Sequence, residues 1–312
     1  MHLRPRCTTM AQRSVIRVVP ATPTGPLLRL IGGLDCKGKG TDHPLLEVGP
    51  VCLLDRGSIV GKDQPKFGMH PHYGLIAVTY PFDGAFTDGD NINGDSGHVT
   101  RDGMVYVVSA GQGVCHQEYT VEEGTHHMIQ TIFRIPKDKL AAHPVPSIGR
   151  AVPADMPTVT LEGGATFQIV LGANAGAASP ANVATLPRCA FLRVRVPPGR
   201  TATVPLDPDL TEGYALVVSG VGRFAGDAAD VSPQSGLVLF GPGEGLVVTN
   251  ADAGAALDAV VVAGAPLAEP WVKTLGLNGF IVTESEAAGD RMMARIMERQ
   301  MEFTYKDLEG LP

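Results

Sequence analysis

The sequence has little of what several classes of protein require. No apolar run approaches the length of a membrane span, so no transmembrane helix is expected. Its 25 Lys and Arg are outnumbered by 32 Asp and Glu, and a net charge of -7 offers no basic footprint for a phosphate backbone. Direct nucleic-acid binding is therefore not expected. Five cysteines, Cys7, Cys36, Cys52, Cys115 and Cys189, are odd in number and scattered, with no C-x-x-C pair. That usage argues against a disulfide framework and suits a reducing, cytoplasmic compartment. Helix-period segments are scarce, and no histidine follows His143.

What is present is β-structure. Thirty-eight glycines and 25 prolines punctuate many short apolar runs, and 312 residues can bury two cores of about 150 residues each. The chemistry concentrates between Lys66 and Glu118, in His70-Pro71-His72 and His116-Gln117-Glu118. Side chains two apart on a strand share one face, which no helix would give. Strand-forming residues adjoin both pairs: Tyr73 to Tyr80 after the first, Met104 to Val108 before the second. If the two strands face each other, three imidazoles and one carboxylate converge on a mononuclear transition-metal site with positions open for water or substrate. Cys115 then faces away and packs as a buried thiol.

The runs "HPHYGLIAVTY" and "SAGQGVCHQE", with the glycine-rich connection between them, resemble the signature of the pirin family of the cupin superfamily. The resemblance implies an all-β bicupin of two antiparallel, jelly-roll β-barrels with a short C-terminal helix. It implies one metal held by His70, His72, His116 and Glu118: iron as Fe(II) or Fe(III), with Mn, Ni, Co or Cu also compatible. The chain departs from the family's usual HPHRGFETVTY, carrying Tyr73, Leu75 and Ile76 for its arginine, phenylalanine and glutamate. Those replacements suit an aromatic ligand. The histidine often found in the intervening loop is replaced near Thr87 or Asp88.

The expected division is a metal-binding barrel over residues 13–136, a linker over 137–164, and a second barrel over 165–312 without ligands, ending in the helix. Gly111–Glu118 aligns with Gly243–Asn250, which sets His116 against Val248 and Glu118 against Asn250, with His70 and His72 opposite Asp209 and Thr211. Thr283 and Glu286 read as a capping box, before Met293, Ile296, Met297 and Met301 at helical spacing. The stretch Asp83 to Asp102 reads as a polar loop whose Asp83, Asp88, Asp90 and Asp95 mark a solvated turn rather than an EF-hand. His98, His126 and His143 read as loop or surface residues, whereas His127 is placed to line the cavity. Residues 1–34 hold five arginines and no acid, which resembles an organellar transit peptide, although Arg13 to Val19 alternates like a first strand and Met10 offers a second start.

Two functions follow from the resemblance. The first is a quercetin 2,3-dioxygenase-type reaction on flavonols or other planar phenols, with dioxygen as co-substrate and Glu118 as the catalytic group. The second is an iron-dependent binding partner of transcription regulators or metabolic enzymes, without turnover. A monomer is expected, because two barrels in one chain can cover each other's sheets.

Overall fold

The computed structural model describes residues 10–24, 27–32, 45–64, 67–92, 94–226, 229–277 and 279–299. Cys7, Cys36, Met301 and residues 1–9 of the arginine-rich start, with Arg4 and Arg6, lie outside them. Among the described residues, twenty-four strands form four sheets of six, seven, eight and three strands. They stack as four layers with a core in each gap. One core joins the six- and seven-stranded sheets through Leu75, Tyr106, Ile132 and Phe280. The central core joins the two largest sheets back to back through Ile76, Val107, Phe133, Phe191 and Tyr214. The last joins the eight- and three-stranded sheets through Phe167, Leu192, Val204 and Val248.

This layering explains why the middle strands read as unbroken apolar runs. In Leu75–Asp83, Leu75 and Ala77 face the first core while Ile76, Val78 and Tyr80 face the central one. A strand buried on both faces shows no alternation. Each half is thus a pair of facing sheets in the jelly-roll manner of a cupin, and the whole is all-β apart from two α-helices among the described residues, one short.

Strand pairing crosses the expected 13–136 and 165–312 division twice. Val15–Val19 pairs with Leu237–Phe240 of the second half. Just before it the fully buried Arg13 donates to the carbonyls of Leu210, Asp207 and Gly241. In return, Val272–Gly276 and Gly279–Thr283 extend the six-stranded sheet of the first half. The 137–164 segment is more than a tether. It contains the Lys137–Ala142 helix, the Ser147–Ala151 strand paired to Val105–Ser109, and the Thr158–Thr160 strand paired to Thr166–Asn174.

The C-terminal helix, Glu286–Arg299, lies over the outer face of the six-stranded sheet. Its apolar face is Met292, Met293 and Ile296, packed with Tyr73, Cys115 and Ile281. Met297, expected on that face, is exposed. The cap is Ser285, whose hydroxyl accepts the Ala288 N–H at 3.3 Å, and not Thr283, whose hydroxyl donates to the Ser285 carbonyl. Ser285→Ala is expected to cost about 1 kcal/mol, read by denaturant unfolding. No loss would show that the helix is held by packing alone.

Candidate metal centre

The metal-type cluster is built where sequence places it. Phe67–Tyr73 and Val114–Thr120 are antiparallel neighbours with His70 opposite His116 and His72 opposite Val114. A register shift between His116 and Glu118 follows. His70, His72 and His116 all point between the sheets, their ring centroids 4.5–4.9 Å apart. Their ligand-type nitrogens lie within 4.8 Å of one another, and all three residues are buried.

The unsatisfied atoms define what the cluster can do. His72 Nδ1 meets the Phe280 carbonyl at 2.9 Å, which leaves Nε2 buried with no hydrogen-bond partner. Both ring nitrogens of His116 are likewise without one. A buried polar atom with no partner costs about 1–3 kcal/mol, a cost that a bound cation removes. Burial, then the adjacent His70, pushes the His72 imidazole down to about 3, with the Phe280 carbonyl partly opposing. His116 is lowered in the same direction by burial, His70 and His72. These rings stay neutral, the form that ligates metals. The donor set therefore fits a divalent transition ion.

Glu118 does not group with His70 and His72. Thr79 Oγ1 donates to Glu118 Oε1, and Gln130 Nε2 donates to Oε2 at 2.6 Å. Its carboxylate groups with His116 and with Asp88, a residue sequence reading had placed in a solvated turn. The polar loop expected between Asp83 and Asp102 is in fact two strands, Ala85–Asp90 and Gly94–Arg101. Asp88 pairs opposite Glu118 and Asp90 opposite His116, and both aspartates are buried. A six-residue strand with two acids and a glycine between them looks like a turn unless its partner strand is known.

Other expectations shift similarly. Gln130 reaches the site, whereas His127, three residues away, lies on the opposite strand face. His126 is buried rather than superficial: its Nδ1 accepts the Ala85 N–H at 3.1 Å, and its Nε2 meets the Glu122 carbonyl. His98 and His143 are exposed. Of the three replaced family positions only Leu75 faces the core between the six- and seven-stranded sheets, since Ile76 enters the central core and Tyr73 packs under the helix. Cys115 faces away as expected, and burial pushes its thiol up to about 12.

The second half repeats the strand pair but not the chemistry. Val248 stands opposite Ala202 and Leu246 opposite Val204, so the counterparts of His70 and His72 are Ala202 and Val204 and not Asp209 and Thr211. Ala202, Val204 and Val248 belong to a continuous apolar core. Asn250, the counterpart of Glu118, spends its amide on the Val196 and Ala255 carbonyls.

The terminal strand positions a ligand from far along the chain. Gly279–Thr283 runs parallel to the histidine strand with Phe280 opposite His72. Pro71 has no N–H to offer that neighbour, and Gly279 makes room for it: a Cβ there would lie 2.3 Å from the Pro71 carbonyl oxygen. Gly279→Ala should push the Phe280 carbonyl off His72 and weaken metal binding about 10-fold or more. Calorimetric titration of the metal-free variant checks this, and unchanged affinity would show the contact to be dispensable.

Facing jelly-roll sheets in two halves, with a buried histidine cluster in one, define a bicupin. A sequence profile described as Pirin matches residues 48–132. The pirin-like protein of Solanum lycopersicum is 31% identical over 231 residues, covering 73% of this chain and 75% of that one. A Zymomonas mobilis protein provisionally named a quercetin 2,3-dioxygenase is 42% identical over 64 residues, 20% of this chain and 26% of its own. The crystal structure of quercetin 2,3-dioxygenase from Acinetobacter baumannii superposes with a TM-score of 0.70 at 19% identity, over 94% of this chain and 96% of that one. The chain belongs to the pirin family.

Proposed function

We propose that this protein is a mononuclear metal oxidoreductase of the quercetin 2,3-dioxygenase type, with His70, His72, His116 and Glu118 as ligands and iron as the resident metal. The observation that carries the reading is the cluster of three buried imidazoles in which His72 Nε2 and both His116 nitrogens have no hydrogen-bond partner. The name of the Zymomonas mobilis relative supports the substrate class, a flavonol or another planar phenol. A metal bound there would act as a Lewis acid toward a phenolate oxygen and as the redox partner for dioxygen.

The chain's own residues supply orientation and exclusion of water. Thr79 and Gln130 fix both oxygens of Glu118, so its carboxylate is aimed before any ligand arrives. Leu75, Val108 and Ile132 belong to the apolar core between the same two sheets, a surface suited to a planar aromatic ring. Glu118 is the group within reach of a phenolic proton beside the histidines, and takes it as the substrate binds.

The test is oxygen uptake and carbon monoxide release on adding quercetin to metal-loaded protein, beside His70→Ala. Turnover by wild type alone is expected. Bound metal with no oxygen consumed on any flavonol or catechol would overturn the enzymatic reading and favour the partner-binding alternative. In that case partner affinity should change between the ferrous and ferric states.

A further inference from the structure

Asp88 is completely buried, and neither of its carboxylate oxygens accepts a hydrogen bond. It lies against Glu118; burial first, then the charge of Glu118 and a hydrogen bond shared with that carboxylate, raise its carboxyl well above the usual range, with Arg150 opposing and Asp90 adding to the shift. The strand register produces this contact. Asp88 stands opposite Glu118 on adjacent antiparallel strands and projects into the same gap between the sheets. Stability alone would select against such a residue, because a buried carboxyl set against a second carboxylate is among the costlier groups a core can hold.

Asp88 has a use that its neighbours define. Its oxygen, a nitrogen of His116 and an oxygen of Glu118 lie within 4.8 Å of one another. His116 is common to this set and to the three-histidine set, and neither of its nitrogens has a hydrogen-bond partner. Thr79 and Gln130 donate to the two oxygens of Glu118, whose carboxylate stays grouped with Asp88 and His116. The cavity thus offers two overlapping donor sets, one all imidazole and one of a single imidazole with two carboxylates. Oxygen donors favour harder ions such as Mn(II), whereas imidazole suits Ni(II) and the later metals.

We propose that Asp88 is a further metal ligand, forming with His116 and Glu118 a one-histidine, two-carboxylate face that gives the site its affinity for hard divalent ions. This rests on the reading of the histidine cluster as a metal centre. Two anionic ligands beside neutral histidines balance a divalent ion, which fits a site closed to water.

The experiment uses metal-free full-length protein, titrated with Mn(II) by electron paramagnetic resonance and with Ni(II) by calorimetry. Wild type, Asp88→Asn, Asp88→Ala and His70→Ala are compared. Asp88→Asn should lose Mn(II) affinity about 10-fold or more while Ni(II) affinity moves less than about 3-fold, and His70→Ala should lose Ni(II). Metal-free Asp88→Asn and Asp88→Ala should melt at or above the wild-type temperature, because each removes a buried carboxyl set against the Glu118 carboxylate. Unchanged Mn(II) affinity in both Asp88 variants, or equal loss of both ions, would overturn the assignment while leaving the histidine centre standing. Wild type that binds neither ion would overturn both.

Discussion

Replacing His116 with alanine is expected to abolish metal binding while leaving the metal-free fold almost as stable as wild type. If about 12 kcal/mol of metal binding is spread over four ligands, each contributes about 3 kcal/mol, or roughly 100-fold in affinity. His116 should exceed that share, because it belongs to both donor sets. The metal-free protein responds differently. Deleting a buried ring leaves a cavity that costs about 2–4 kcal/mol. It also removes two buried nitrogens with no hydrogen-bond partner, each a burden of about 1–3 kcal/mol. The effects oppose, so the metal-free change should stay within about 1 kcal/mol. A structural histidine would behave in reverse.

The stabilisation conferred by metal isolates the same point. An ion present at about 1,000 times its dissociation constant adds about 4 kcal/mol to the folded state. His116→Ala should lose that increment, which denaturant titrations with and without Ni(II) would measure. A variant that still binds metal at wild-type affinity, or whose metal-free form loses more than about 3 kcal/mol, would refute the assignment of His116 as a ligand.

The histidine cluster was legible in the sequence because a strand's period of two maps spacing directly onto a shared face. His70 and His72 needed no partner to be read as a pair. Asp88 was not legible for a related reason: its meaning comes from the Glu118 opposite it, and the Asp-Gly-Asp at the end of its strand imitates a turn. Non-local pairing was hidden altogether. Nothing near His72 points to the Phe280 carbonyl, 208 residues away, or to the exchange of terminal strands between the halves. Alignment of the halves by eye also drifted in the histidine strand's counterpart, where Ala202 and Val204 carry no pattern to anchor it. The four-layer stack concealed alternation too, since Leu75–Asp83 is buried on both faces.

Acid should unfold the metal-free protein through the same histidines, and the sign can be worked out group by group. In the unfolded chain each imidazole takes up a proton near pH 6.5. Folded His72 does so only near 3, and folded His116 is lowered likewise, with burial the leading cause for both. Below pH 6.5 the unfolded state therefore binds protons that the folded state refuses. Stability falls by up to about 1.4 kcal/mol per pH unit for each histidine, an upper bound of about 5 kcal/mol for the two by pH 4.5. Asp88 acts in the opposite direction. Its carboxyl is raised in the folded state, so between that value and the unfolded 3.8 a falling pH favours folding. The two effects mask each other in wild type. Asp88→Asn removes the second, and its urea-unfolding free energy, measured without metal from pH 7.5 to 4.5, should decline steeply below 6.5. Adding His72→Gln to that background should remove about half of the decline. A flat profile in Asp88→Asn would mean that the imidazoles take up protons in the folded state, and that burial does not hold them in the neutral form a metal requires.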